Sequence, residues 1–244
     1  MNYTIIIPAR YASTRFPGKP LAMLGDKIIL QHVHERALQS SAAQVIIATD
    51  DERINEAAQD FGAITCMTST KHSSGTERLA EVVEQCGIAD ETVVVNLQGD
   101  EPFITAASLD QVADLILQAP DYDMSTLCHL IDDPDEVADP HIVKLVLNEC
   151  GDAMYFSRAS IPWDRDRQGG VSYYRHIGLY AYTAKFLRHY IELAPCELEK
   201  IEALEQLRVL YHGKKIKVGI TDEDSAIGID TPEDLQKAEK MLVG

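Results

Sequence analysis

The sequence of 244 residues contains no run of about 18 consecutive apolar residues that would suggest a membrane span. It has no basic excess either. The 22 Lys+Arg stand against 39 Asp+Glu, and a formal net charge of −17 repels nucleic acid and anionic lipid at long range. With 14 Gly, 10 Pro and no persistent short repeat, collagen-like, disordered and coiled-coil classes are excluded. The cysteines Cys66, Cys86, Cys128, Cys150 and Cys196 show no CxxC or CxxH spacing, which argues against a zinc site or redox pair and for reduced thiols. Residues 1–5 lack a basic region leading into an apolar stretch, so the expectation is a cytoplasmic globular protein without a secretory signal. An anionic small molecule would need a local cluster of cations.

What is present is an alternation of strands and helices. Short apolar runs rich in β-branched residues recur at 3–7, 45–49, 92–96, 141–147, 175–182 and 216–220. Helix-length stretches lie between the early ones, at 26–38, 51–61, 75–86 and 105–118. In the second of these, Ile54, Ala57, Ala58 and Phe61 form one apolar face, Asp50 or Asp51 can cap the start, and Gly62 can end it in a left-handed conformation. The order implies right-handed crossovers and a mostly parallel sheet covered on both faces, an α/β fold. The acid-rich stretch 120–140 reads as solvated and turn-rich. Residues 157–170, carrying the lone tryptophan Trp163 beside Pro162, read as an excursion from the sheet that serves as a lid or a dimer contact. One domain over 1–244 with an inserted arm around 150–175 is predicted.

Ligands of open α/β sheets bind outside the carboxyl ends of the strands, so the places to look follow Ile7, Thr49 and Asn96. After the first strand the loop places Arg10, Arg15 and Lys19 close together, among small residues Ala9, Ala12 and Ser13. It is neither a Walker A loop nor GxGxxG. Such cations suit a polyphosphate, or are ordinary solvated side chains of a surface loop. After Asn96, Gly99-Asp100 puts a carboxylate at the sheet edge, able to hold Mg²⁺ or to serve as a turn or cap residue. Asp230 occupies the same kind of junction before Thr231-Pro232, which reads as a helix start. Cations for a triphosphate, two carboxylates for magnesium and no nucleophile–base pair together suit phosphoryl or nucleotidyl transfer, which rests mainly on positioning and charge stabilisation.

Several segments in order along the chain resemble the 3-deoxy-manno-octulosonate (Kdo) cytidylyltransferase family, the CMP-Kdo synthetases. They are Ile7-Pro8-Ala9-Arg10, Ser13-Thr14-Arg15-Phe16-Pro17-Gly18-Lys19-Pro20-Leu21, Ser74-Gly75-Thr76-Glu77-Arg78 and Asn96-Leu97-Gln98-Gly99-Asp100-Glu101-Pro102, followed by Arg175-His176-Ile177-Gly178, Leu204-Glu205-Gln206-Leu207-Arg208 and Ile229-Asp230-Thr231-Pro232-Glu233-Asp234. The resemblance implies a Rossmann-like αβα sandwich of the glycosyltransferase-A or nucleotidyltransferase type, a homodimer with an inserted dimerisation arm, and dependence on Mg²⁺. It implies CTP and Kdo as substrates, CMP-Kdo and diphosphate as products, and a place in lipopolysaccharide biosynthesis. By the same resemblance Arg10, Arg15 and Lys19 hold the CTP phosphates, with Arg15, Lys19 and Asp100 catalytic. Asp100 and Asp230 hold the metal. Arg78, Gln98, His176, Tyr180 and Glu205 line the sugar-acid pocket. Glu77 departs from the family, which often has Asp before the arginine.

Read without the family, Arg78 is an exposed helix arginine, His176 a satisfied core histidine, and Glu205 a surface residue of an amphipathic helix with Leu198, Ile201, Leu204 and Leu207 on its apolar face. The rival functions are a sialic acid cytidylyltransferase, an enzyme charging a sugar 1-phosphate, the same chemistry on 8-amino-3,8-dideoxy-manno-octulosonate, and a non-catalytic nucleotide-binding regulator.

Overall fold

Burial of alternate residues on both faces explains why β1 (Tyr3–Ala9) is central: Tyr3, Ile5, Ile7 and Ala9 enter one core and Ile6 the other. The structure, a computed structural model, describes residues 3–12, 16–72, 74–166, 169–223 and 228–243. After β1 a hairpin of β2 (Met23–Leu24) and β3 (Lys27–Ile28) leads into α1 (Ile29–Leu38). The helix therefore starts at Ile29 and not at 26, because Gly25 (φ 66°) turns the chain into paired strands first. Next come β4 (Gln44–Thr49), α2 (Glu52–Asp60), β5 (Ile64–Met67), α3 (Gly75–Gln85), β6 (Val93–Asn96) and α4 (Ala106–Leu117). Asp51 caps α2 by accepting from Arg53 N, and Gly62 follows it with φ 82°.

Residues 120–140 correct the expectation of a solvated stretch. They contain β7 (Met124–Leu130), whose first five residues are buried, before α5 (Pro134–Ala138). Its polar side chains are satisfied internally: Ser125 Oγ donates to Val112 O (2.7 Å) and Thr126 Oγ1 to Leu179 O (2.8 Å). The chain continues through β8 (Lys144–Leu147), β9 (Ala153–Ser157), β10 (Tyr174–Thr183), α6 (Ala184–Tyr190), α7 (Glu197–Glu202), α8 (Gln206–Tyr211), β11 (Ile216–Ile220) and α9 (Pro232–Val243). The single amphipathic helix expected around Glu205 is instead α7 and α8, broken by Ala203 in the left-handed region (φ 51°), and Ile201 is exposed.

The sheet order is β11-β7-β10-β6-β1-β4-β5, with β8 paired to β10 and β9. Most neighbours on this path run parallel; β10 is antiparallel to both β6 and β7. Helices α1, α2, α4 and α9 contribute to the core on one face, and α3, α6 and α8 to the core on the other, giving an αβα sandwich. Between β9 and β10 lies the excursion with Trp163, which is 72% exposed. All five cysteines are free; Cys66, Cys128 and Cys196 are buried and Cys86 and Cys150 exposed. No helix among the described residues is long and apolar enough to cross a membrane.

Lys144 ties the base of the excursion to the sheet. It is fully buried, and its ammonium donates to the carbonyls of Asp139 (2.7 Å), Ile142 (2.6 Å) and Arg158 (2.7 Å). Three carbonyl dipoles replace the water that the charge loses, although burial still pushes the Lys144 pKa down. Replacement by Lys144→Met leaves those carbonyls unanswered and is expected to cost about 2–3 kcal/mol in urea unfolding, with faster amide exchange at 139–142. Unchanged stability and exchange would contradict this role.

Candidate active site

Three chain segments meet where the sheet ends. Beyond β1, Gly18 (φ 72°) donates its N–H to Tyr11 O (2.9 Å) and a Cβ there would lie 3.0 Å from the Tyr11 ring, so only glycine fits. Lys19 follows directly and is buried. Beyond β6, Gly99 passes so close over β1 that a Cβ would lie 3.0 Å from Pro8 O. That close approach seats Asp100 beside the first loop. The third segment is tied to the second by Ile229 N donating to Asp100 O (2.9 Å), which brings Asp230 alongside.

The ammonium of Lys19 bridges the two acids: it donates to Asp100 Oδ2 and to Asp230 Oδ1 (3.0 Å). Positions 81 and 211 residues from Lys19 in sequence thus converge on one cation. Two carboxylates that share one ammonium are close enough to share one hard metal ion. No group of three or more His, Cys, Asp or Glu side chains suited to a metal occurs among the described residues. A site with two protein oxygens suits Mg²⁺, which keeps its remaining positions for water and phosphate oxygens.

Above this point opens a cavity of about 190 Å³ lined by Arg10, Lys19, Arg78, Gln98, Asp100 and Asp230 among others. Ser74 and Gly75, at the N-terminus of α3, also line it; Ser74 Oγ accepts from Glu77 N (3.2 Å). Three cationic side chains and a helix N-terminus make this a place for an anion in an otherwise acidic chain. Arg15 lies outside the described residues.

Arg78 is not the exposed helix arginine its position suggests. It is buried, with Nη2 donating to Asp50 Oδ2 (2.7 Å) and Nη1 to Thr68 Oγ1. Asp50 and Thr68, at the ends of β4 and β5, were not singled out as site residues. The rule that ligands bind beyond strand ends pointed to the residue after Thr49, and that is where Asp50 stands. Gln98 donates from Nε2 to Asn96 Oδ1 (3.2 Å) at the same wall.

His176 and Tyr180 lie on β10, ring centroids 5.3 Å apart, at the head of an aromatic row that continues through Tyr182 and Phe186 to Tyr190. His176 lines a second cavity, beside the first; Tyr180 and Glu205 line neither. Glu205 accepts from Tyr190 OH (2.8 Å) at the far end of the row. Burial raises the Tyr180 phenol well above its ordinary range, so it is a neutral donor. Burial also pushes Glu101 up to about 8, helped by the negative charges of Asp100 and Asp230. Thr126 Oγ1 directs its one proton at the carbonyls of Ile177 (3.1 Å) and Leu179 (2.8 Å), so its lone pair accepts from His176 Nε2 (3.0 Å). His176 is therefore the neutral Nε2–H tautomer, and burial pushes its pKa down to about 3.

Cations, two carboxylates and a helix N-terminus gathered at one sheet edge suit a nucleoside triphosphate, and comparison with known proteins gives the class. A family model described as cytidylyltransferase matches residues 4–216, and the chain belongs to that family of nucleotidyltransferases. Its relatives include proteins named 3-deoxy-manno-octulosonate cytidylyltransferase. That of Pseudoalteromonas atlantica is 52% identical, with 97% of this chain and 96% of the relative covered. That of Idiomarina loihiensis is 53% identical, with 99% and 98% covered. Among solved structures, CMP:2-keto-3-deoxy-manno-octonic acid synthetase complexed with CTP superposes with a TM-score of 0.94 at 40% identity, covering 100% of this chain and 99% of that one. A cytidylyltransferase from Leptospira borgpetersenii shares the fold, with a TM-score of 0.66 at 19% identity over 99% of this chain and 86% of that one.

The neutral His176 has a consequence for stability. Between its unfolded pKa of about 6.5 and its folded value of about 3, only the unfolded state binds the proton, so acid removes stability. Urea unfolding from pH 7 to pH 4 is expected to show wild type losing up to about 1.4 kcal/mol per pH unit more than His176→Asn. Equal slopes would contradict the neutral core assignment.

Proposed function

We propose that the chain transfers the cytidylyl group of CTP to 3-deoxy-manno-octulosonate, releasing diphosphate and activating the sugar for lipopolysaccharide synthesis. The observation that carries this reading is the convergence of Asp100 and Asp230 on one cation beneath a cavity lined by Arg10, Lys19 and Arg78. Relatives bearing that enzyme's name across nearly the whole length supply the substrate.

The sugar's anomeric hydroxyl attacks the α-phosphorus in line, and diphosphate leaves on the opposite side. Asp100 and Asp230 would hold magnesium, which supplies charge neutralisation at the α-phosphate and a lowered pKa for the attacking hydroxyl. Lys19, no longer needed between the two carboxylates, turns to the β- and γ-phosphates together with Arg10 and Arg15 and stabilises the charge that grows there. Arg78, its guanidinium fixed by Asp50 and Thr68, faces the sugar carboxylate with Gln98. His176 and Tyr180 present neutral polar groups to the hydroxyls, and Glu205 acts from behind, through the aromatic row.

We also read the assembly as a homodimer. Its support is the set of exposed apolar side chains Met154 on β9, Trp163 on the excursion and Ile201 on α7. We also read the protein as cytoplasmic, a reading supported by its use of CTP.

Diphosphate release with CTP and Mg²⁺ is expected to be fastest with Kdo, slower with its 8-amino analogue and slowest with N-acetylneuraminate. A preference for either alternative overturns the substrate; silence with all three from folded, CTP-binding protein overturns the enzyme reading in favour of a regulator. Asp100→Ala is expected to lose about 10²–10³-fold in turnover at saturating Mg²⁺. Arg78→Ala should raise the KM for the sugar far more than that for CTP, and equal effects would contradict its role.

A further inference from the structure

One arginine outside the cavity is held more firmly than its exposed position requires. Arg53, in the first turn of α2, keeps more than half of its side chain in solvent. Asp51 nevertheless grips it with both oxygens: Oδ1 accepts from Arg53 Nε (2.9 Å) and Oδ2 from Nη2 (2.6 Å), while Oδ1 also accepts from Arg53 N (3.0 Å) as the helix cap. Held in this way, the guanidinium carbon stands over the Tyr11 ring, 3.3 Å from its centre. An exposed ion pair adds little to stability. What the fork does is fix the plane of the guanidinium against the aromatic face.

Tyr11 stands where the two ends of the first loop meet. Its carbonyl accepts from Gly18 N (2.9 Å), and a Cβ at Gly18 would lie 3.0 Å from Cε2 and Cζ of its ring. Arg10 immediately precedes Tyr11, Lys19 immediately follows Gly18, and both line the cation-rich cavity. The ring is only partly buried against the core, and Arg53 covers it. Two adjacent acids after β4 thus orient two arginines. Asp50 fixes Arg78 in the cavity wall, and Asp51 fixes Arg53 on the loop that carries Lys19.

We propose that Arg53 is a positioning residue for the nucleotide: through the Tyr11 ring it secures the junction of Tyr11 and Gly18, and so the places of Arg10 and Lys19, before the triphosphate arrives. The inference rests on the reading of this loop as the site of the CTP phosphates. Arg53 does not itself line the cavity, so it works through Tyr11 and not by offering its charge to the ligand. Its contribution is preorganisation, because a loop already fixed loses less freedom on binding. Once CTP is bound the same contacts are in place, so the effect falls on KM and leaves kcat alone.

The test is steady-state kinetics of Arg53→Ala, Tyr11→Leu, the double variant and Asp51→Asn, each checked for its melting temperature. Arg53→Ala is expected to raise the KM for CTP about fourfold, with kcat and the KM for Kdo within about 1.5-fold of wild type. In the Tyr11→Leu background, which has no aromatic face to hold, removing Arg53 should change the KM for CTP by less than about 1.5-fold. Asp51→Asn keeps a good helix cap but loosens the fork and removes one negative charge beside Arg53. The KM for CTP should therefore rise if Arg53 acts through the ring, and fall if it acts by charge alone. The same loss from Arg53→Ala with and without the ring, a KM for CTP that falls or stays put in Asp51→Asn, or an equal rise for Kdo overturns the proposal. Should Tyr11→Leu fail to fold, Asp51→Asn decides. If wild type neither binds nor turns over CTP, the reading of the loop falls and this inference with it; an active wild type with an unmoved KM for CTP in Arg53→Ala defeats the positioning role alone.

Discussion

The contact of Lys19 with Asp100 and Asp230 is the interaction on which the rest of the site depends. Without a cation between them, two carboxylates held together by the backbone bond from Ile229 to Asp100 would repel each other in a partly buried place. The ammonium removes that repulsion while the site holds no other cation. What brings Lys19 and Asp100 together is the parallel pairing of β1 and β6, because parallel strands deliver their following loops to one edge, and the bond from Ile229 N to Asp100 O adds Asp230. The cores on both faces of β1 are thus the foundation of the chemistry as well as of the fold.

Electrostatics explain how a chain of net charge −17 can present an anion site. Arg10, Lys19 and Arg78 gather at one cavity, and the N-terminus of α3 adds its unpaired N–H groups there. The acids nearest to them are each engaged: Asp50 by Arg78, Asp100 and Asp230 by Lys19. The second cavity beside it is lined by groups of mixed kind, Glu101, His141, Arg175 and His176 among them. His176 is kept uncharged by burial, and Glu101 Oε2 has no hydrogen-bond partner among the described residues. The two cavities therefore differ in kind, the first lined by three cationic side chains from lysine and arginine and the second by one guanidinium, two imidazoles and one carboxyl.

Much of this was legible in the residues. Strands β1, β4 and β6 announce themselves as unbroken β-branched runs because both of their faces are buried, and Asp51 and Gly62 mark the ends of α2 correctly. β7 escaped because Ser125, Thr126 and His129 interrupt its apolar text, and only tertiary acceptors such as Val112 O make them tolerable inside. Asp50 escaped because an acid before a helix reads as a cap, and its partner Arg78 lies 28 residues away. Glu101 gave no sign of its burial: Gly178 and Gly228, which come close to its side chain, lie far from it in sequence. Family resemblance named Glu205, whose hydrogen bond to Tyr190 at the far end of the aromatic row only the three-dimensional arrangement reveals.

The most direct test of this account is the melting temperature of Lys19→Met against wild type, with and without magnesium. If Lys19 is the cation that holds Asp100 and Asp230 together, the variant should melt lower by about 3 °C or more in the absence of divalent ions. Magnesium should then restore most of the loss and stabilise wild type less. Identical melting of both proteins in both conditions would contradict the shared cation site.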